Sequence, residues 1–319
     1  MISMQGLDFE RPIVELEQKI AELRGFSQKQ NVDLTDEINS CAEKLEKLKH
    51  EVFDNLTPWQ RVQIARHPKR PYTLDYIQLM TTDFYELHGD RHFRDDPAIV
   101  GGFAKLDSQK IMIIGHQKGR DTKENLFRSF GSPHPEGYRK AMRLMDLAAR
   151  MRVPIVTFVD TPGAYPGVDA EERGQAEAIA FNLREMSRLS VPVVVVVIGE
   201  GGSGGALGIG VGDRILMLEN AYYSVISPEG CAAILWRTKA NAPQAAAALK
   251  ITADDLLALK IIDERIPEPL GGAHRDYPKT AAAVKAAVKR NLQALLKIPA
   301  PELAQKRYEK YRSIGMWTE

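Results

Sequence analysis

Val191-Pro192-Val193-Val194-Val195-Val196-Val197-Ile198-Gly199-Glu200-Gly201-Gly202-Ser203-Gly204-Gly205-Ala206-Leu207-Gly208-Ile209-Gly210 is the stretch on which the fold turns. An unbroken Val/Ile run has no polar face, so this strand is covered on both sides. That is the signature of a mostly parallel sheet sandwiched by helices. The glycines that follow let the chain turn tightly and let another group approach the backbone closely. A helix opening there would present N–H groups without intrahelical partners, a place suited to negative charge. Gly208, Gly210 and Gly212 each cost about 1 kcal/mol against alanine inside a helix, so that helix is short.

Outward from this stretch the pattern alternates. The preceding strand, 153–160, runs into Thr161-Pro162-Gly163-Ala164-Tyr165-Pro166-Gly167, a second Gly/Pro turn. Two such turns at the carboxyl ends of adjacent parallel strands form a crevice, the usual ligand site of open α/β sheets. Pro162 and Pro166 stiffen one wall and Tyr165 offers a flat apolar face. Further upstream, 98–106 and 110–117 flank Asp107-Ser108-Gln109 as a hairpin, and a helix spans 136–151. A helix is expected over 170–189, with Glu171 and Glu172 favourable near its start. Downstream come a strand at 214–219, an extended piece at 224–227, and helices at 229–238, 252–259, 278–296 and 301–313.

The first fifty residues differ. Ile13, Leu16, Ile20 and Leu23 recur at helical spacing, as do Leu34, Ile38, Cys41, Leu45 and Leu48. With 27–33 as the turn, they predict an antiparallel helical hairpin, either packed on its own domain or gripping a second subunit. The division is therefore an arm over 1–55 and an α/β domain over 56–319 that carries the C-terminal helices. Thr57-Pro58 caps and starts a helix. The basic run Arg66-His67-Pro68-Lys69-Arg70-Pro71 is a solvated connector or a contact for a phosphate-bearing ligand.

Composition narrows the function. The chain has 319 residues, 44% of them hydrophobic, enough for a sizeable core. Lys+Arg (43) nearly cancels Asp+Glu (42), which leaves no electrostatic footprint for nucleic acid. The longest apolar run is far short of a membrane span, and no secretory signal opens the sequence. Cys41 and Cys231 make neither a metal knuckle nor a disulfide framework, so no metal site is expected and the expected compartment is the cytoplasm.

Four readings compete for the glycine turn. Gly199, Gly201 and Gly204 match a dinucleotide fingerprint, with Glu219 ending the next strand, but the turn does not open the domain and its helix is short. Gly201, Ser203 and Gly205 match the nucleophile turn of a serine hydrolase, for which His274 is the only downstream histidine. Adjacent amides at the helix start also suit an oxyanion hole. In the plainest reading, of a non-catalytic scaffold, the glycines only let helix and strand pack closely.

The two turns, together with Phe130-Gly131-Ser132-Pro133-His134-Pro135-Glu136-Gly137-Tyr138 and Ala221-Tyr222-Tyr223-Ser224-Val225-Ile226-Ser227-Pro228-Glu229-Gly230, resemble the α subunits of the bacterial acetyl-coenzyme A carboxylase carboxyltransferase. The likeness runs over essentially the whole chain. It implies a crotonase-like spiral of ββα units, to which Leu257-Ala258-Leu259-Lys260-Ile261-Ile262-Asp263-Glu264 adds a late segment. Crotonase-fold hydratases carry an acid just after the oxyanion glycines, where this chain has Ala206-Leu207-Gly208. The resemblance implies that carboxybiotin, presented by a separate biotin carboxyl carrier protein and not attached here, releases CO₂ and then serves as the base toward acetyl-CoA, giving malonyl-CoA, the first committed step of fatty acid synthesis. It also implies a biotin-side oxyanion hole on this subunit, a zinc-containing β subunit that supplies the thioester side, a biotin carboxylase partner and an α2β2 assembly. Gly204 and Gly205 become the backbone donors, with Ala206 the alternative, and Pro162, Gly163, Ala164 and Tyr165 the biotin pocket. Glu200 is then structural or electrostatic, and Ser203 a small turn residue. His134 is a cap or loop anchor, and Arg237 a candidate for an incoming carboxylate or phosphate.

Overall fold

The computed structural model describes residues 6–30 and 32–315. Its strands are β1 (Thr82–Glu86), β2 (Ile99–Leu106), β3 (Gln109–His116), β4 (Ile155–Thr161), β5 (Val193–Gly202), β6 (Arg214–Leu218), β7 (Tyr222–Ser224) and β8 (Glu264–Ile266). They form one mixed sheet in the order β1-β2-β3-β4-β5-β6-β8, with β7 paired to the far end of β5. β1, β2 and β3 are antiparallel neighbours, and from β3 onward the pairing is parallel. Every residue of β4 and β5 is buried, as their unalternating sequences require.

Fourteen α-helices, among the described residues, surround the sheet: α1 (Arg11–Gln30), α2 (Thr35–Phe53), α3 (Pro58–Ala65), α4 (Thr73–Met80), α5 (Thr122–Phe127), α6 (Pro135–Arg150), α7 (Val168–Glu172), α8 (Gln175–Arg188), α9 (Ser203–Leu207), α10 (Pro228–Trp236), α11 (Ala242–Ala248), α12 (Ala253–Ala258), α13 (Tyr277–Leu295) and α14 (Ala300–Arg312). α6 packs on β2, β3 and α8, while α13 packs on β5 and β8. α3 begins with a complete capping box: Thr57 Oγ1 accepts the Gln60 N–H at 3.3 Å and Gln60 Oε1 accepts the Thr57 N–H at 2.8 Å.

Three departures from the sequence reading bear on the site. β5 runs on through Gly202, so the first four residues of the expected glycine turn are strand. They lie in the sheet because β7 extends it, pairing Glu200, Gly201 and Gly202 with Tyr222, Tyr223 and Ser224. The single helix expected over 170–189 is two, α7 and α8, broken where Gly174 takes φ +82°. Of the basic run of residues 66–71 only Pro68 and Lys69 are exposed, so it is not the solvated connector expected. Arg70 is fully buried, bonding the Ile198 carbonyl at 2.7 Å and both oxygens of Glu268, and Arg66 reaches the carboxylates of Glu200 and Glu229.

α1 and α2 pack against each other through Ile13, Ile20 and Leu45, with Leu16, Ile38, Cys41 and Leu48 alongside. Phe53 carries this apolar seam onto Ile64 of α3 and Leu270. The hairpin is thus rooted on the α/β body. Residues 1–5 of the arm, residue 31 in its expected turn, and residues 316–319 lie outside the described residues.

A candidate active site between two strand ends

β4 and β5 run parallel with Thr161 opposite Gly201, so the turns that leave them lie side by side. The first turn is closed by Thr161, whose hydroxyl donates to the Gly163 carbonyl and accepts the Gly163 N–H. The second enters α9 through Ser203, at φ +52°. The two touch backbone to backbone. A Cβ at Gly202 would lie 2.2 Å from the Pro162 carbonyl oxygen, and one at Gly205 would lie 2.4 Å from the Ala164 nitrogen. These two glycines therefore serve close packing, as the plainest reading proposed, but the packing itself makes a cleft. A cavity of about 520 Å³ opens there, lined by Gly163, Ala164, Tyr165, Glu171, Gln175, Gly204 and Gly205.

Five of the seven residues singled out from the sequence thus share one cavity. Pro162 does not line it; its carbonyl abuts Gly202 instead. Ala206 is fully buried behind the turn. As the first three residues of a helix, Ser203, Gly204 and Gly205 carry N–H groups that have no partner within the helix.

The Tyr165 wall is held from outside. His134 stacks on the Tyr165 ring with centroids 4.1 Å apart. The Tyr165 N–H donates to the Pro133 carbonyl at 3.0 Å, and Gln175 Nε2 donates to the carbonyls of both Pro133 and Tyr165. His134 is therefore a loop anchor: at the start of α6 its side chain makes no cap bond, and its own N–H donates to Asp96. Buried Tyr138 donates to the Gly205 carbonyl at 3.3 Å. Arg237 ends α10 in an exposed, left-handed conformation and takes no part in the cavity.

Beneath the turn sits a charge network. Glu200 accepts from Arg66 at 2.9 Å, Lys118 at 2.9 Å and the Tyr222 hydroxyl at 2.7 Å. Burial pushes its carboxyl up, but the Lys118 ammonium and Arg66 guanidinium outweigh this and hold it at about 2. Glu200 is a fixed anion, the structural role expected of it, and no proton acceptor near neutral pH. Lys118 stands alone in the sequence with nothing to mark it, and only the fold brings it together with Asp160, Glu200, Arg66 and Tyr222.

The serine-hydrolase constellation does not form. His274 lies at the root of the arm, stacked on His67 at 3.9 Å and close to Glu10. Burial, the facing His67, Arg275 and Arg70 push its imidazole down to about 3. Glu10, His67 and His274 bring ligand-type atoms within 4.8 Å of one another, but Glu10 already accepts the Leu7 N–H and faces Arg275. Both cysteines are free. Among the described residues no helix is long and apolar enough to cross a membrane.

The family model described as "Acetyl co-enzyme A carboxylase carboxyltransferase-like" matches residues 6–315. The chain is 58% identical over 319 residues to the acetyl-coenzyme A carboxylase carboxyl transferase subunit alpha of Geobacter metallireducens, covering 100% of each chain. It is 59% identical over 313 residues to the subunit of that name from Thermus thermophilus, covering 98% of this chain and 99% of that one. Among solved structures, transcarboxylase 12S superposes with a TM-score of 0.59 at 19% identity, over 75% of this chain and 44% of that one. A Pseudomonas malonate decarboxylase hetero-tetramer in complex with coenzyme A does so with a TM-score of 0.59 at 16% identity, over 75% of this chain and 94% of that one. These neighbours share the crotonase-like α/β fold.

Proposed function

The chain belongs to the acetyl co-enzyme A carboxylase carboxyltransferase-like family, and from that premise we propose how its two strand ends serve carboxyl transfer. It is the α subunit of a biotin-dependent carboxyl transferase that gives malonyl-CoA from acetyl-CoA, within a multi-subunit enzyme that includes a β subunit. Our reading assigns the cleft between the strand-end turns to the biotin end of the reaction. Carboxybiotin, delivered by a carrier protein, supplies the carboxyl group. Gly204 and Gly205 line the cavity, and to their N–H groups we assign the negative charge that develops on the ureido oxygen, with Ala206 as the alternative donor. Gly163, Ala164 and Tyr165 orient the bicyclic ring, with Pro162 holding their turn against Gly202. The fit is one of size and chemistry: a cavity of about 520 Å³, one flat aromatic wall and a helix start at its end.

The observation that carries this reading is the meeting of Tyr165 and Gly204–Gly205 in one cavity, with Glu200 held behind the turn in ion pairs and Glu171 the acid that lines the opening. In this reading the base comes with the donor. The thioester side of the reaction falls to the β subunit, which carries any zinc, in an α2β2 assembly that works with a biotin carboxylase in the cytoplasm. The arm, 1–55, is the subunit contact, and 56–319 the carboxyltransferase domain.

The purified chain alone is expected to be inactive, and malonyl-CoA to form from acetyl-CoA and a carboxybiotin donor once the β subunit is added. Full turnover by the isolated chain would refute the shared site. Ser203→Ala is expected to keep at least about half of the complex's turnover, since a turn residue is not a nucleophile. Loss of all turnover, with fluorophosphonate labelling of Ser203 in the parent, would restore the hydrolase reading.

A further inference from the structure

We propose that Lys118 is a positioning residue for this reaction: its buried ammonium ties the end of β4 to the end of β5 and so sets the width of the cleft between the two turns. The proposal rests on the carboxyl-transfer reading above. Lys118 Nζ lies 2.7 Å from Asp160 Oδ1 and 2.9 Å from Glu200 Oε1. Asp160 Oδ1 also accepts the Glu200 N–H at 2.9 Å. Asp160 stands immediately before Thr161-Pro162-Gly163, and Glu200 stands just before the turn into α9. One ammonium therefore grips the root of each wall.

Space has been cleared for it. A Cβ at Gly199 would lie 2.5 Å from Asp160 Oδ1, and one at Gly131, which takes φ +78°, would lie 2.6 Å from Lys118 Cγ. Gly131 belongs to the loop whose Pro133 and His134 hold Tyr165. The same lysine thus seats this loop as well as both strand ends. The groups facing it are Asp160 and Glu200, with Arg66, Tyr222 and Glu229 in the next layer. Burying ions costs more than burying apolar groups of the same size, so such a network is a poor route to stability and an effective way to fix one geometry. Removing the ammonium leaves two carboxylates repelling each other at the point where the turns diverge.

The test uses the assembled α and β subunits with acetyl-CoA and a carboxybiotin donor, comparing the parent with Lys118→Met and Lys118→Met/Glu200→Gln. The double variant removes one buried charge of each sign and so protects folding. We expect Lys118→Met to lower kcat about 10²-fold, the scale of a misplaced reacting geometry, with KM for acetyl-CoA changed by less than about twofold. The double variant should regain the parent's Tm and yet keep kcat at least about tenfold low, because charge balance returns but the tether does not. Parent-like kcat in Lys118→Met overturns the proposal. So does turnover that recovers together with Tm in the double variant, since that marks a purely structural role. A parent complex that makes no malonyl-CoA would instead strike the carboxyl-transfer reading.

Discussion

Gly205→Val is expected to reduce malonyl-CoA formation by the assembled complex about 10²–10³-fold, the usual worth of an oxyanion donor, while leaving assembly intact. The new Cβ would meet the Ala164 nitrogen at 2.4 Å and the Gly163 carbonyl carbon at 2.5 Å. Both are backbone atoms of the opposite wall, so no side chain can swing aside. Either α9 withdraws or the Gly163–Ala164 turn does, and in both cases the helix start shifts against the facing wall of the cavity. Gly204→Ala is the matched control. Its Cβ would meet only Ile179, at 3.7 and 3.8 Å, which is ordinary contact. It should retain near-parental turnover and gain up to about 1 kcal/mol of helix stability. Comparing the two variants by turnover and by co-elution with the β subunit separates wall geometry from general loss of fold. Parent-like turnover in Gly205→Val would remove the glycine turn from the chemistry.

Glu268→Ala should carry the largest stability penalty, about 3–5 kcal/mol, because it strands a buried guanidinium. Arg70 and Glu268 are both essentially without solvent contact, at 1% and 0% side-chain exposure. Glu268 accepts from Arg70 Nη1 at 3.0 Å and Nη2 at 2.5 Å, and further from the N–H groups of Asn220 and Ala273. Arg70 Nε in turn donates to the Ile198 carbonyl, one residue before β5 reaches its glycines. The pair therefore pins the strand that carries the site to the loop leading to α13. Chemical denaturation of the parent and variant chains measures the loss. A change below about 1 kcal/mol would mean that Arg70 finds water once its partner is gone.

How much was legible depended on whether a signal was local. The valine run, the Gly/Pro turns and the apolar spacing of the arm each announce themselves within a dozen residues, because burial pattern and backbone freedom are properties of contiguous sequence. The crevice followed from two local signals and one topological rule. For His134 the choice between cap and loop anchor stays open in the sequence, since nothing in Pro133-His134-Pro135 says that a tyrosine ring thirty residues on stacks there. Residues 66–71 were misread for the converse reason: a basic run looks solvated until carboxylates from distant segments are known to meet it.

By itself, then, the sequence determined the buried parallel strand, the two strand-end turns and the absence of an acid after the glycines, since these depend on residue type and order alone. Only the tertiary structure decided that Gly202 and Gly205 press against the facing turn, that Pro162 and Ala206 stand outside the cavity, and that Lys118 joins Asp160 to Glu200. Ion pairs and close backbone contacts join segments far apart in the chain. Their partners are chosen by how the strands stack, and that choice leaves no trace in the local order of residues.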